Sequence, residues 1–297
     1  MQNPIISVVM STFNRAEYIK ESIDSILNQT FTNFEFIIIN DGSTDNTSEI
    51  VRLYDDNRIK FYVNDKNYGC TFNYHKMQNI AVGKYIAHID DDDISRKTRL
   101  QTQFDFMENN PDIILSGTYI STFGENKRKP WVFYTDHKKL KFSMFFFNPF
   151  CHSSVIYRLK SLKNMKINYN NQNKYAQDYA FYKDIIFNGN EKVANIPEIL
   201  VDYRMHQKRI TDINFSRRIQ EQIANNLKRE MLSTIFNEEE IIYFLSLVKD
   251  FPFGNYNSDD VKKATDFLSK KLLSESQEYA QIAKEFKEDI DNGIFIF

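Results

Sequence analysis

Cysteine is scarce. Cys70 and Cys151 are the only two in 297 residues, too few for a disulfide framework and, by themselves, for a zinc site. Eight glycines and six prolines exclude collagen-like and low-complexity chains. No apolar stretch approaches the roughly 18 residues of a membrane-spanning helix; the most apolar run is Phe142 to Phe147. The start, Met1-Gln2-Asn3-Pro4, has no basic segment followed by an apolar run, so no signal peptide is expected. An excess of one charge is missing too. Lys+Arg number 38 and Asp+Glu 40, a net charge of -2, which argues against a nucleic-acid binder. Together these absences point to a soluble cytoplasmic protein, at most peripheral at the inner face of the membrane.

What is present suits a folded domain. Hydrophobic residues make up 42% of the chain, and 26 Phe with 17 Tyr supply bulk for a core. At about 150 residues per domain, the length fits one large domain, or one with a substantial appendage. Ile5 to Met10 is a short β-branched run of the kind buried on both faces of a parallel sheet. Ile19, Ile23, Ile26 and Leu27 then fall on one face of a helix. The spacing predicts strands over Phe34 to Ile39, Ile59 to Val63 and Tyr85 to Ile89. Helices are expected around Ile50, Val51 and Tyr54, capped by Ser43 or Thr44, and over Phe72 to Ala81. Strand and helix alternate to about residue 110, which implies a mostly parallel sheet with helices on both faces.

Beyond Pro111 the pattern loosens. Strands are expected over Ile113 to Ser121, Ser153 to Tyr157 and Ile199 to Tyr203, and a helix over Asp178 to Phe187. Phe123 to Pro149 reads as irregular and aromatic. From about Ser216 the chain is helical, interrupted at Phe251-Pro252-Phe253-Gly254.

Open α/β sheets bind ligands outside the carboxyl ends of their strands. Three polar groups fall there: Thr12-Phe13-Asn14-Arg15, Asn40-Asp41-Gly42-Ser43 and the four aspartates Asp90 to Asp93. The second can be a turn with a helix cap, and Phe13 alone can be a rim aromatic. Four adjacent carboxylates are harder to explain by local structure, because like charges raise one another's pKa. A hard divalent cation such as Mg²⁺ or Mn²⁺ with a phosphate ligand accounts for them better than a solvated acidic turn.

Ser7 to Arg15, Ile39 to Asp45 and Gly83 to Asp93, taken together, resemble the opening of a family 2 glycosyltransferase. Asn148 to Ser154, Gln177-Asp178-Tyr179 and Tyr203-Arg204-Met205-His206 are similar to later segments of that family. The resemblance implies a GT-A fold over residues 1–213, with a nucleotide-sugar half (1–110), an acceptor half (111–213) and a C-terminal helical extension (214–297). It implies a nucleotide-sugar donor, most simply UDP-linked, and inverting transfer to a hydroxyl of a saccharide or glycolipid acceptor in surface-glycan synthesis, lipooligosaccharide or capsule. Ser11, Phe13, Asp41, Asp90 and Asp91 would bind the nucleotide. Asp92 and His206 would hold Mn²⁺ or Mg²⁺, Asp178 would be the catalytic base, and His152 and Trp131 would face sugar or acceptor. Asp93 is read as a ligand or a helix cap, with the cap preferred. Gln177 stands where an acid is common in the family, and His75 and Met77 replace the commoner Asn and Gly.

Rival readings are a nucleotide-sugar-binding protein without catalysis and a metal-dependent phosphohydrolase. A Rossmann dehydrogenase is disfavoured, since no Gly-x-Gly-x-x-Gly follows the first strand. Trp131, Phe133 and Tyr134 could stack against a sugar ring, with packing into the core the preferred reading. Lys208, Arg209, Arg217, Arg218, Lys228 and Arg229 form a basic start to the helical tail, read as a solvated face or as a contact with an anionic membrane surface.

Overall fold

Alternation along β1 (Ile6–Thr12) and β2 (Phe34–Asn40) divides the core in two. Ile6, Val8 and Met10 of β1, with Phe36 and Ile38 of β2, pack toward α1 (Ile19–Leu27) and α2 (Thr47–Arg52). Val9, Ile37 and Ile39 face the other way, toward α3 (Cys70–Ile80). Each strand is therefore buried on both sides, which is why it reads as a continuous apolar run. The computed structural model describes residues 3–125, 129–169, 175–189, 191–206, 214–249, 251, 256–273 and 276–293, and for 214–220 the backbone alone.

The remaining strands are β3 (Ile59–Val63), β4 (Tyr85–His88), β5 (Ile94–Ser95), β6 (Ile113–Gly124), β7 (Pro130–Trp131), β8 (Ile156–Arg158) and β9 (Lys192–Met205). Among the described residues nine strands form one sheet in the order β3-β2-β1-β4-β8-β6-β9-β5, with β7 paired to β6. The first four run parallel, and their register sets Thr12 beside Asn40 and Asn40 beside Val63. Loops leaving β1, β2, β3 and β4 thus emerge along one edge. Antiparallel β8 then joins this half to β6 and β9, which are parallel to each other. The helices α4 (Arg99–Asn109), α5 (His137–Ser143), α6 (Leu159–Met165), α7 (Gln177–Asn188), α8 (Asn214–Leu232), α9 (Glu238–Leu247), α10 (Ser258–Leu272) and α11 (Glu278–Asp291) complete the described elements. The mixed α/β architecture with C-terminal helices is the one expected.

Three local expectations change. Phe123 to Pro149 is not irregular throughout: it contains β7 and α5, whose N-cap Asp136 accepts the Lys139 N–H. His152–Ser154 is a 3₁₀ turn, and the strand begins only at Ile156. β9 runs from Lys192, well before Ile199, with irregular register against β6 absorbing its extra length. The break at Pro252 to Gly254 lies outside the described residues, although α9 and α10 flank it.

The aromatic run finds its purpose in packing. Phe142 and Phe146 are fully buried, and Phe286 of α11 packs on both, at ring separations of 5.5 and 4.6 Å. Phe146 also meets Phe244 of α9 and Phe251. One apolar cluster therefore runs from β1 through α5 into the four C-terminal helices. Lys139–Glu285 and Lys138–Glu278 pairs and a Tyr134 hydroxyl bond to Asp289 (2.6 Å) flank it. Phe146→Ala should cost about 3–5 kcal/mol in chemical denaturation, and proteolysis should then cut the helices after residue 232 first.

Candidate active site

The loop after β1 is stitched to the loop after β2. Asn14, in the left-handed region at φ 54°, accepts the Thr44 N–H at 2.8 Å, and its own N–H donates to Ser43 Oγ at 2.9 Å. Arg15 N–H donates to Thr47 Oγ1 at 2.9 Å, and Ala16 N–H to Asp45 Oδ2 at 3.1 Å. Neither Ser43 nor Thr44 caps a helix, contrary to expectation. The helix starts later, at Thr47, where Asp45 accepts the Thr47 N–H. Gly42, at φ +73°, is required twice over, because a Cβ there would lie 2.8 Å from the Lys66 carbonyl carbon. Phe13 projects from this rim 39% exposed.

Asp41 is buried and accepts from Asn64 Nδ2 (2.8 Å), Tyr68 N–H (3.0 Å) and Gly69 N–H (2.7 Å). A carboxylate has about four acceptor positions, so one remains, on Oδ2. Asn64 also donates to Asn73 Oδ1 at 2.8 Å, and Asn73 Nδ2 to Ser11 Oγ at 2.9 Å. Ser11 and Asp41 thus belong to one polar chain. Asn64 and Asn73 escaped sequence reasoning. On the inner face of α3, Asn73 is buried beside Thr71 and Gln78, where an apolar residue is the usual occupant.

The four aspartates point to four different partners. Asp90 accepts from the Tyr74 hydroxyl at 3.3 Å. Asp91 lies 3.4 Å and Asp92 3.7 Å from Arg15 Nε. Burial and the neighbouring Asp92 carboxylate push Asp91 up to about 8, against the pull of Arg15. Asp92 Oδ2 lies 3.0 Å from His206 Nε2, and the Tyr18 ring packs 4.6 Å from the His206 ring. Asp93 does not cap a helix, since α4 begins only at Arg99. It is fully buried, takes the Ser153 hydroxyl on Oδ2 and the Arg204 N–H on Oδ1 at 2.8 Å, and burial raises its pKa. Beneath the turn, the fully buried Arg99 donates to the His88 carbonyl at 2.6 Å, and burial brings its guanidinium down to about 10.

Asp178 sits in the first turn of α7, where Asn148 Nδ2 donates to its Oδ2 at 2.8 Å. Asn148 Oδ1 accepts the Phe150 N–H at 3.2 Å, which fixes the amide orientation. Burial raises the Asp178 pKa, the nearby His152 lowers it, and the Asp90 carboxylate raises it further. His152 Nδ1 lies 2.9 Å from the Tyr182 hydroxyl, and burial brings the imidazole down to about 4. Its ring meets Tyr74 edge-on at 4.9 Å. Tyr74 therefore bridges Asp90 and His152, joining the acidic turn to the neighbourhood of Asp178. Behind it His88 Nε2 lies 3.3 Å from the hydroxyls of both Tyr157 and Tyr169. Sequence reasoning passed over Asn148 as a partner for Asp178, and over Tyr74 and His88; it marked Arg15 as part of a polar group without assigning it a partner.

Trp131 packs on Tyr203, rings 5.6 Å apart, at the end of β9 that leads to His206. Tyr134 belongs to the packing reading, since it faces α11. The basic start of the tail is altered at Lys228, which is buried and pushed down to about 8, and at Arg229, which pairs with Glu238. Lys208, Arg209 and the side chains of Arg217 and Arg218 lie outside the described residues. No described helix is long and apolar enough to cross a membrane. Among the described residues no three His, Cys, Asp or Glu side chains form a group able to hold a metal ion. The Asp92 carboxylate and His206 imidazole are nevertheless chemically suited to Mn²⁺ and converge on each other.

Comparison with known proteins places this geometry in context. A Haemophilus influenzae protein described as an uncharacterized glycosyltransferase is 32% identical over 253 residues, covering 80% of this chain and 76% of its own length. The structure of Staphylococcus aureus TarS 1-349 in complex with UDP-GlcNAc superposes with a TM-score of 0.67 at 19% identity, over 97% of this chain and 89% of that one. The mannosyltransferase PcManGT from Pyrobaculum calidifontis, in complex with GDP-Man and Mn²⁺, gives 0.60 at 13% identity, over 100% and 84%. Both support a GT-A fold. The profile of "Glycosyl transferase family 2" matches residues 7–165, and the chain belongs to that family.

Proposed function

We propose that the protein is an inverting, metal-dependent glycosyltransferase that moves a sugar from a UDP-linked donor to a hydroxyl of a saccharide acceptor. The observation that carries this reading is the half-buried Asp178 carboxylate, held by Asn148 and linked through His152 and Tyr74 to Asp90 of the acidic turn. It brings a candidate base and a candidate leaving-group site into one region, as inverting transfer requires. Support for UDP and for a metal comes from TarS and PcManGT, which were solved with UDP-GlcNAc and with GDP-Man and Mn²⁺.

In this reading Phe13 stacks on the base from its exposed rim position, and Asp41 uses its remaining Oδ2 acceptor for a base N–H. Ser11, positioned by Asn73, holds the nucleotide beside it. Asp90 and Asp91 face the ribose and phosphate side, with Arg15 offsetting the charge of Asp91 and Asp92. Asp92 and His206 would hold the Mn²⁺ or Mg²⁺, which when bound neutralises charge on the departing diphosphate. Asp178 takes the proton of the acceptor hydroxyl at the oxygen not engaged by Asn148. His152, neutral above about pH 4, borders the sugar, and Trp131 borders the acceptor. Residues 1–110 serve the nucleotide and 111–213 the acceptor, while 214–297 form the helical extension. A surface glycan, lipooligosaccharide or capsule, is the acceptor class. Peripheral contact with the inner membrane face would use the basic start of the tail, without Lys228.

Asp178→Asn should leave UDP-sugar binding by thermal shift intact and lower kcat by about 10²–10⁴-fold; unimpaired turnover would reject the base. Because Asp178 acts deprotonated and its pKa is raised, kcat should climb with pH through a point above the usual carboxylate range. Asn148→Ala removes a donor that favours the charged form, so that acid limb should move to higher pH. Asp92→Ala should abolish the gain in UDP affinity that Mn²⁺ confers, read by calorimetry.

A further inference from the structure

His206 reaches Asp92 from 114 residues away in sequence, so something must fix the end of β9 against the turn after β4. β5 pairs with β9 at Ile94 and Asp202, and Arg96 pairs with Asp202 at 2.8 Å; nearer His206, Arg204 and Asp93 make the tie to the acidic turn itself. The Arg204 N–H donates to Asp93 Oδ1 at 2.8 Å, while its Nε donates to the Asp92 carbonyl at 2.8 Å. One residue thus grips the acidic turn through both backbone and side chain. The guanidinium also lies 5.0 Å from the centre of the Tyr18 ring and 4.4 Å from that of Phe123, and it pairs with Glu21 at 2.6 Å. Tyr18 in turn packs on the His206 ring. Arg204 therefore contacts the backbone of one member of the Asp92–His206 pair and the aromatic support of the other.

Asp93 anchors the same assembly from below. Its second oxygen holds the Ser153 hydroxyl, and Ser153 Oγ accepts the Asp90 N–H at 3.2 Å. The carboxyl thereby joins the acidic turn, the 3₁₀ turn and β9 at a fully buried point.

We propose that Arg204 and Asp93 are positioning residues that hold His206 against Asp92 and so set the affinity of that pair for a divalent cation, an inference that rests on the metal reading above. Neither residue needs to touch the ion. Partners that orient ligands from outside are worth about 10–100-fold in metal affinity.

The test is a Mn²⁺ titration of the full chain with and without UDP, read as bound Mn²⁺ by electron paramagnetic resonance, alongside the melting temperature of the metal-free protein. Arg204→Met keeps apolar bulk and loses the Asp92 carbonyl bond. It should weaken Mn²⁺ binding about tenfold or more, and Arg204→Lys, which can still donate, should recover part of it. Ser153→Ala, which releases one Asp93 oxygen without removing the buried carboxyl, should weaken binding in the same direction. Glu21→Gln, which removes only the outward ion pair, should leave the Mn²⁺ midpoint unchanged. An unaltered midpoint in Arg204→Met, with wild-type protein binding Mn²⁺ normally, overturns the positioning role alone. Wild-type protein that takes up no Mn²⁺ even with UDP overturns the metal reading itself.

Discussion

Four consecutive carboxyl groups at the end of β4 repel one another, and the surrounding structure is arranged to keep them in place. Each is turned to a different neighbour: Asp90 to Tyr74, Asp91 to Arg15, Asp92 to His206 and Asp93 to Ser153 and Arg204. Three arginines surround the turn. Arg99 is fully buried beneath it, Arg15 comes from the loop after β1, and Arg204 comes from β9. Burial favours neutral acids there even so, and that is the direction in which Asp91 and Asp93 move. The cluster is stable as a structure because cations and hydrogen bonds offset part of the repulsion, and its residual negative charge is what a bound divalent ion would complement.

The same economy of position links the two halves of the sheet. The parallel register of β1, β2 and β3 brings the Asp41 loop and the Asn64 to Gly69 loop to one edge. Antiparallel β8 sets the 3₁₀ turn with His152 directly after Cys151 and before the strand that pairs with β4. That turn touches both Asp90 and Asp93 through Ser153. The C-terminal helices pack through Phe142 to Phe147 onto the same apolar cluster that includes Val9 of β1 and Ile86 of β4.

Much of the first half was legible because its physics is local. Buried parallel strands read as β-branched runs, and strand ends mark where ligand groups can gather. The lettering of Thr12 to Arg15, Asn40 to Ser43 and Asp90 to Asp93 was therefore informative before any coordinates. What escaped was non-local or polar and buried. Asp93 read as a helix cap because its partner Arg204 lies 111 residues away. α4 left little trace because its inner face buries Arg99 and Gln103 beside Leu100 and Met107. α5 was hidden inside an aromatic stretch whose residues serve the C-terminal helices. Lys228 looked like part of a basic surface, although it points into the same inner face as Leu227 and Met231.

A crystal structure of the protein with UDP and Mn²⁺ is the most direct measurement of the central claim, that the acidic turn and His206 form one diphosphate-cation site. The expected result is the ion against Asp92 and His206, with the base between Phe13 and Asp41. Density for the diphosphate elsewhere, with the Asp92–His206 pair untouched by metal, would contradict it.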